Sequence, residues 1–536
     1  MRRVFGDRRR IDLGRSEFRE FIKSGNLYVD KTGFIERVLE EASGVLLFTR
    51  PRRTGKSLNL SMLRTFLDCK QDTKELFKGL YIEGSPVFGE INSSPVIYLS
   101  IKNLRADNYK QRLVKSLKSI AEYYLEENQV NREMRDFFEG YLNSSEILYS
   151  LTENIHEVCG AKPYVLIDEY DKLLTDNIDK PEYEEIREWL KYVYESALKD
   201  NPHLEKGVMV GVTRVLHESL LSGLNNLKVF DVFTPSAFDG DFSLTEEEAS
   251  ELLNEEQLEA AREWYNNYRV GDKQLFNLYS VLSYMEWGVL DNYWGMSGTM
   301  DLLIDLLNTE RTDAISNLLV TGKEIETILE RRISLQRLKS GNIDNGSFYS
   351  FAVQTGYMTH EKGDSYKEYR ISLPNRELHE VWQGFILKEV IKNGHHMGLR
   401  DIFTHIADTE DFSQRFQEFV SFQLSCHDIG KEIEQTYHVL VFGLILGAGF
   451  KCSSNKERGF GRYDLWLEGP DYNVIIEFKK AKKKSECLEK LAGEAIAQID
   501  NRKYYAKFPE TVPLYKVGVG CYKTECFVKT LRHAGG

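Results

Sequence analysis

The sequence predicts an α/β protein with three parts: a parallel sheet flanked by helices, a mostly helical middle region, and a small α/β domain at the C-terminal end. Three observations predict this fold class. Short apolar runs alternate with amphipathic helical patterns in the first half, an acidic helical pattern begins near Thr245, and β-like runs return after residue 460. A chain of 536 residues has room for about two to four domains. We expect domains over residues 1–240, 241–398, 399–425 and 426–536.

The first-half strands are predicted by four apolar runs, which read "GVLLFT", "SPVIYLSI", "PYVLIDEY" and "GVMVGVT". Each run is short and apolar on both faces, as strands covered by helices on both sides of a sheet are. Helical patterns separate the runs, which favours a parallel α/β sheet rather than a sandwich.

The stretch "LLFTRPRRTGKSLNLSMLRTFL" places Gly55-Lys56-Ser57 at a turn from a strand into a helix. The phosphate-binding loop pattern is G-x-x-x-x-G-K-[ST], and Arg50 stands where its first glycine would be. Backbone N–H groups from Arg53 to Ser57, with Thr54 and Gly55 between them, would face phosphate. Lys56 would supply positive charge, and the Ser57 hydroxyl would bind Mg²⁺. The sequence therefore predicts a P-loop NTPase sheet.

A second apolar strand ends in Asp168-Glu169, which is the other half of such a site. Asp168 would support the Mg²⁺ ion, and Glu169 would polarise the attacking water. A third strand ends in Thr213-Arg214, where a polar sensor of the terminal phosphate would lie. The alternative for Thr213 and Arg214 is an ordinary strand end.

The middle region opens with "TEEEASELL", where Thr245 and Glu248 predict a capping box at a helix N-terminus. Near its end, a helix, two β-like runs around Gly363-Asp364 and a second helix after Pro374 follow one another. That order predicts a winged helix. Residues 399–425 have a helical pattern, as does "QTYHVLVFGLILGAGF".

The C-terminal part contains "GRYDLWLEGPDYNVIIEFKKA", which offers Asp464 and, on a following strand, Glu477 and Lys479. Period two places Glu477 and Lys479 on one face of that strand, with Phe478 turned into the core. A metal-dependent phosphodiesterase needs converging carboxylates and a lysine that orients water. The alternative is a cross-strand ion pair on a solvent face.

Bulk composition narrows the function classes. The formal net charge is −13, yet residues 451–536 carry 17 Lys+Arg against 11 Asp+Glu, so nucleic acid can be bound locally. Seven scattered cysteines match neither a disulfide framework nor a zinc motif. No apolar run is long enough to span a membrane, so we expect a cytoplasmic protein without a membrane partner.

A set of linked motifs resembles the bacterial AAA-ATPase-like family whose members carry a C-terminal PD-(D/E)XK nuclease domain. The motifs are "LYVDKTGFIE", "RPRRTGKSLNLSML", "LIDEYDKLL", "SGLNNLKVF", "YSVLSYME", "TGYMT" and "LPNRE". The resemblance covers nearly the whole chain and implies a restriction-endonuclease-like fold at its C-terminal end. It makes Arg50 a family trait, since the loop of such proteins commonly begins Arg-Pro-Arg-Arg. It also implies a further acidic metal ligand, Glu434, and a glutamine and a tyrosine, Gln498 and Tyr504, beside the nuclease site.

We therefore expect an ATP-hydrolysing protein whose C-terminal domain cleaves nucleic acid, with nucleotide state gating cleavage. The expected cofactors are ATP and Mg²⁺, with Mn²⁺ able to substitute in the nuclease site. DNA is favoured over RNA as the substrate, and a homo-oligomer is left open. The alternative is a nucleotide-dependent switch whose C-terminal module binds nucleic acid without cutting it.

Overall fold

A computed structural model gives the three-dimensional arrangement of most of the chain. The ranges that it describes are 4–7, 10–126, 129–138, 146–213, 220–221, 223–294, 300–330, 343–365, 367–392, 397–426, 441–442, 445, 450–454, 457–458, 461–469, 471–481, 483–505, 512–522 and 525–533. Two residues predicted for the sites, Arg214 and Glu434, lie outside these ranges, and so does most of "QTYHVLVFGLILGAGF". The chain divides into two compact units, one of Met1–Leu306 with Glu326–Leu378 and one of Leu307–Ile325 with His379–Gly536. The four predicted domains stay a prediction.

The strands and helices of the described ranges follow in chain order. The strands are β1 (Val4–Phe5), β2 (Tyr28–Val29), β3 (Val45–Thr49), β4 (Val96–Ser100), β5 (Tyr164–Asp168), β6 (Lys206–Gly211), β7 (Leu227–Phe230), β8 (Tyr268–Val270), β9 (Lys273–Leu275), β10 (Ile325–Ile328), β11 (Thr359–Lys362), β12 (Glu368–Ser372), β13 (Lys451–Ser454), β14 (Glu457–Arg458), β15 (Gly461–Arg462), β16 (Leu465–Glu468), β17 (Asn473–Lys480), β18 (Leu514–Tyr522) and β19 (Glu525–Arg532). The helices are α1 (Phe18–Lys23), α2 (Gly33–Glu40), α3 (Lys56–Leu67), α4 (Tyr109–Tyr124), α5 (Arg132–Phe138), α6 (Ile147–Cys159), α7 (Lys172–Thr175), α8 (Tyr183–Leu198), α9 (Glu246–Leu252), α10 (Glu255–Tyr265), α11 (Leu278–Trp287), α12 (Met300–Asp305), α13 (Thr309–Thr321), α14 (Asn345–Thr355), α15 (Arg376–Lys392), α16 (Met397–Thr404), α17 (Thr409–Cys426) and α18 (Leu488–Arg502). None of these helices is long and apolar enough to cross a membrane.

The first unit is built on a parallel sheet that, within the described ranges, has five strands in the order β4-β5-β6-β3-β7. The four predicted apolar runs form β3 to β6, and β3, β5 and β6 are buried along their whole length. The fifth strand, β7, was not predicted. Since all the strands run the same way, the segments after β3, β4, β5 and β6 emerge at one edge of the sheet, where ligands of such folds bind.

The middle of the chain begins with the predicted capping box, which the structure confirms. The Thr245 hydroxyl accepts a hydrogen bond from the Glu248 N–H, and the Glu248 carboxylate accepts one from the Thr245 N–H. Further along, α14, the antiparallel pair β11 and β12, and α15 follow in the predicted order. The assignment of this segment as a winged helix stays a prediction.

The second unit contains a mixed sheet, which within the described residues has the strand order β13-β16-β17-β18-β19. Strand β17 runs parallel to β18, and the other pairs are antiparallel. Residues of α16 and α17 pack in one apolar core with one face of the sheet, and α18 covers the other face. The region predicted as a connector is therefore helical and lies in the core of this unit.

Two glycines of β18 let α18 approach the sheet at backbone distance. A Cβ atom on Gly518 would lie 2.1 Å from the Ala492 carbonyl oxygen, and one on Gly520 would lie 2.3 Å from the Leu488 carbonyl oxygen. Both glycines pair with the strand that carries the predicted nuclease residues. The close packing therefore fixes α18 directly above those residues.

Candidate functional sites

The loop between β3 and α3 has the backbone geometry of an anion-binding turn. Gly55, the residue before the helix, has φ of +85°, and Arg53 has φ of +61°. Both angles lie in the left-handed region, which a glycine adopts freely and an arginine adopts at a cost. The first N–H groups of a twelve-residue helix are therefore turned toward the edge of the sheet.

Lys56 is buried and folded back over the loop that precedes it. Its ammonium donates hydrogen bonds to the carbonyl oxygens of Arg50 (3.0 Å) and Pro51 (2.6 Å). Burial lowers the pKa of Lys56 to about 8, although the nearby charges of Asp171 and Asp168 act in the opposite direction. The lysine therefore holds the loop together with hydrogen bonds that an incoming phosphate would replace.

Asp168 ends β5 and lies beside the Ser57 hydroxyl, which hydrogen-bonds to it. The Tyr98 hydroxyl donates a second hydrogen bond, at 3.3 Å from Asp168 Oδ2. Burial raises the pKa of Asp168. Its Oδ1 atom is buried without a hydrogen-bond partner in the described part of the chain. An unpaired buried carboxylate oxygen next to a serine hydroxyl fits a Mg²⁺ ion, which prefers oxygen ligands.

Glu169 follows in a backbone conformation that is rare for a residue other than glycine, with φ of +53°. Burial and the neighbouring Asp168 charge raise the pKa of Glu169, while Lys102 lowers it. A strained residue at the end of a buried strand is common in active sites, where the surrounding structure holds it in place.

Asp171 and Thr213 are hydrogen-bonded to each other. The Asp171 carboxylate accepts hydrogen bonds from the Val212 N–H (3.0 Å), the Thr213 N–H (2.9 Å) and the Thr213 hydroxyl (3.1 Å). These bonds join the segments that follow β5 and β6. The predicted phosphate sensor Thr213 thus lies at the same edge of the sheet as Lys56 and Glu169, but its hydroxyl donates to Asp171.

A cavity of about 630 Å³ gathers these residues at the carboxyl edge of the sheet. Its walls include Arg52, Arg53, Gly55, Lys56, Ser57, Lys102, Glu169, Asp171, Lys172, Thr213 and Tyr279. The Arg53 guanidinium stacks on the Tyr279 ring at 3.9 Å from the ring centre. Thr54 lies beneath the loop, where its hydroxyl donates to the Pro51 carbonyl oxygen at 3.0 Å. Six of the predicted residues, namely Arg53, Gly55, Lys56, Ser57, Glu169 and Thr213, therefore line one space large enough for a nucleotide, while Thr54 and Asp168 lie outside its lining.

The second predicted site lies on adjacent strands of the C-terminal sheet. The Phe478 N–H donates to Asp464 Oδ2 at 2.8 Å, and the Asp464 N–H donates to Glu477 Oε2 at 3.3 Å. Burial raises the pKa of Asp464 to about 6, although the Phe478 hydrogen bond and the Lys479 charge oppose the rise. Phe478 lies in the core on the opposite face, as the period-two pattern predicts.

Helix α18 supplies the polar cover of this site. The Gln498 side-chain amide donates to Glu477 Oε1 and also to the Tyr504 hydroxyl, at 3.1 Å. Gln498 therefore contacts Glu477 directly and Tyr504 contacts Gln498, and the role of both residues stays a prediction. Within the described residues there is no group of three or more His, Cys, Asp or Glu side chains arranged to hold a metal ion. Asp464 and Glu477 nevertheless offer oxygen ligands of the kind that divalent cations prefer.

Comparison with known protein families now adds to this geometry. Residues 12–221 match the family described as predicted AAA-ATPase, and residues 432–531 match the PD-(D/E)XK nuclease superfamily. The chain carries an AAA-ATPase-family domain and a PD-(D/E)XK nuclease-superfamily domain. The first contains Lys56 and Glu169, and the second contains Asp464, Glu477 and Lys479.

Two individual proteins resemble this chain at low sequence identity. A protein of Azotobacter chroococcum mcd 1, described as the uncharacterized protein in the vnfD 5'region, is 25% identical over 535 residues, with 96% of each chain covered. The solved structure of the Aeropyrum pernix ORC2 protein in ADPNP-ADP complexes is 14% identical, has a TM-score of 0.31, and covers 72% of this chain and 99% of its own. A similarity at that TM-score supports no conclusion about this chain.

The role of Arg50 in the ATPase-family domain was not foreseen. Arg50 occupies the first-glycine position, yet its side chain is 1% exposed and points away from the cavity. Its guanidinium donates to the carbonyl oxygens of Thr49 (3.0 Å) and Phe230 (2.7 Å) and lies 3.7 Å from Asp239. Burial lowers the pKa of Arg50 to about 10, with Asp239 opposing. Arg50 therefore fastens the start of the loop to β7 and to the segment after it.

A buried network in the same compact unit supports the loop from its other side. The Trp294 indole N–H donates to the Arg52 carbonyl oxygen at 3.3 Å. The Trp294 backbone N–H donates to Glu377 at 2.7 Å, and the Ser280 hydroxyl donates to both Glu377 oxygens, at 3.0 and 2.9 Å. Burial raises the pKa of Glu377 to about 7. Ser280 comes from "YSVLSYME" and Glu377 from "LPNRE", and only the fold shows that the two motifs meet.

Proposed function

We propose that the chain binds ATP with Mg²⁺ in the cavity beside Lys56, hydrolyses it, and uses the C-terminal domain to cut nucleic acid under the control of the nucleotide state. The observation that carries the first half is the arrangement of Lys56, Ser57 and Glu169 around one cavity, with Asp168 hydrogen-bonded to Ser57 beside it. The match to the AAA-ATPase family supports the same reading.

In the ATP site, each residue has a distinct role. The helix N-terminus and Lys56 bind the phosphates, and Lys56 exchanges its two carbonyl partners for phosphate oxygens. Ser57 and Asp168 would hold Mg²⁺, which when bound offsets negative charge on the terminal phosphates. Glu169 accepts a proton from the attacking water, because a carboxylate fixed at this edge of the sheet faces the terminal phosphate.

In the nuclease site, Asp464 and Glu477 would hold a divalent cation, Mg²⁺ or Mn²⁺, whose charge stabilises the scissile phosphate. Lys479 shares the face of β17 with Glu477 and orients the nucleophilic water. Gln498 fixes the Glu477 carboxylate from α18. The excess of basic residues at this end of the chain favours nucleic acid as the partner, and we propose DNA as the substrate.

A hydrolysis assay tests the ATP site. We expect the parent to release phosphate from ATP in the presence of Mg²⁺. Lys56→Ala should bind ATP much more weakly, because a direct phosphate contact is lost, while Glu169→Gln should bind ATP normally and turn it over about a hundredfold more slowly. If Lys56→Ala binds labelled ATP as tightly as the parent, the nucleotide site lies elsewhere.

A cleavage assay tests the second half. Purified protein is incubated with duplex DNA, single-stranded DNA and RNA, with Mg²⁺ or Mn²⁺, and with ATP, ADP or no nucleotide. We expect metal-dependent cuts whose rate changes with the nucleotide, and the change should disappear in Lys56→Ala. Binding without cutting under every condition would instead indicate a switch with a non-cleaving module.

A further inference from the structure

Lys102 is a cation at the ATP cavity to which the mechanism above assigns no role. It lies in a short turn, Ile101–Asn103, immediately after β4. It lines the same cavity as Lys56 and Glu169, and its side chain is exposed there. Within the described residues, its ammonium has no hydrogen bond and no ion pair. A lysine at a cavity edge without a protein partner is available to a bound anion.

The sheet places Lys102 beside the reacting end of a nucleotide. Strand β4 is the parallel neighbour of β5, and Ser100 pairs with Asp168. Lys102 therefore follows β4 at the same edge where Glu169 follows β5. Strands β5 and β6 separate β4 from β3, which leads into the loop of Lys56. Lys102 is therefore nearer in the sheet to Glu169 than to that loop.

Lys172 provides the contrast. It lines the same cavity, but its ammonium lies 2.9 Å from Asp176 on the same helical turn. Its charge is already paired. Lys102 and Lys172 therefore carry the same chemical group on the same rim, and they differ in whether that group is engaged.

Resting on the proposed ATPase function, we propose that Lys102 is a further catalytic residue, which contacts the terminal phosphate of ATP from the side opposite Lys56. Charge spreads over the phosphoryl oxygens as the bond to the leaving group breaks, and a second cation supplied within the chain stabilises that charge. The leaving group is ADP, and water supplies the new bond to phosphorus. Lys102 transfers no proton in this step.

Substitution of Lys102 separates this role from a general effect on nucleotide binding. Lys102→Met keeps the length of the side chain and removes the charge, and we expect kcat for ATP hydrolysis to fall by about 10- to 100-fold with the Kd for ADP unchanged. Binding of ADP with aluminium fluoride, which mimics the transferring phosphoryl group, should weaken by a similar factor. Lys102→Arg should recover part of the rate. Lys172→Met, at a cavity lysine already paired with Asp176, should lower the rate by a smaller factor, and the control Lys78→Met, at an exposed lysine outside the cavity, should stay within about threefold of the parent.

Each other result counts against the proposal. Unchanged kcat in Lys102→Met, or an equal weakening of ADP and ATP binding, would overturn the contact with the terminal phosphate while the proposed ATPase function stands. If the parent itself hydrolyses no ATP, both fail together. The exposed position of Lys102 makes misfolding of the variant improbable as a cause, and an unchanged unfolding midpoint would exclude it.

Discussion

The two candidate sites are built in opposite ways. The ATP site lies on loops: Arg53 and Glu169 have positive φ angles, and Lys56 is bonded to its own loop. The nuclease site lies on strands, where the carboxylates of Asp464 and Glu477 accept hydrogen bonds from the strand backbone and from α18. The first must exchange hydrogen bonds when its ligand arrives, whereas the second is held in one arrangement. A loop site can respond to nucleotide state, and a strand site provides fixed geometry for chemistry.

The largest effect is expected from substitutions in the candidate nuclease site on β17. Glu477→Ala should lower metal-dependent cleavage by about a thousandfold and weaken Mn²⁺ binding, because a buried ligand is lost. Lys479→Ala should lower cleavage as strongly while Mn²⁺ binding is kept. Cleavage rates and Mn²⁺ titration distinguish the two variants. Glu468→Gln, at the exposed end of β16, is the control and should behave as the parent. Parental cleavage by Glu477→Ala would remove the nuclease assignment.

The next effect tests whether the loop needs its arginine. Arg50→Gly restores the usual phosphate-loop pattern, yet we expect it to lower the free energy of unfolding by about 3 kcal/mol, since Asp239 and two carbonyl groups lose a buried partner. Arg53→Gly is a matched control three residues away. Its φ of +61° suits glycine, so its stability should be near parental. Denaturant unfolding measures both. Equal stability of Arg50→Gly and the parent would show that the arginine is dispensable.

A pH effect tests the network behind the loop. Burial raises the pKa of Glu377 to about 7, so the folded protein holds a proton that the unfolded chain releases near its ordinary pKa of about 4.3. This contribution to stability is present below that lower pKa and is lost as the pH rises through 7. Glu377→Gln cannot titrate, so the parent should lose on the order of 2 kcal/mol relative to it between about pH 4.5 and 8. Urea unfolding midpoints of the parent and of Glu377→Gln are measured across that pH range. An equal change of both midpoints with pH would contradict the prediction.

The smallest expected effect concerns one hydrogen bond to the loop. Trp294→Phe keeps a ring against Tyr357 and removes the indole N–H that reaches Arg52. We expect ATP binding to weaken by about 1 kcal/mol, close to the usual net value of a hydrogen bond. Trp287→Phe serves as control, because its side chain is 66% exposed. Calorimetric titration of both variants with ATP is the measurement.

Apolar runs and short motifs predicted the frame of the molecule. Strands β3 to β6 and β17 were predicted because burial on both faces leaves a continuous apolar run. Strand β7 was missed because it is short and partly exposed. Strand β18 was missed because Gly518 and Gly520 interrupt its valines, and glycine usually signals a turn rather than a strand.

In the candidate sites, too, residues in local sequence patterns were predicted and residues brought together by the fold were not. Lys56, Ser57, Asp168, Glu477 and Lys479 were predicted since each belongs to a local pattern of residue type and spacing. The inward course of Arg50, the approach of Trp294 to Arg52 and the position of Lys102 depend on residues far apart in sequence. No local pattern records such contacts, so they could be found only in the folded chain.

The close approach of α18 to β18 also limits which mutations the codons of Gly518 and Gly520 can tolerate. At Gly518 and Gly520, even a methyl group would meet a helix carbonyl oxygen within 2.3 Å. In the genetic code, every change in the first or second base of a glycine codon replaces glycine by a residue with a Cβ atom or by a stop. At these two codons, only mutations in the third base are therefore silent. Mutations in the other two bases add a side chain or a stop, and an added side chain pushes on the helix that covers Glu477 and Lys479.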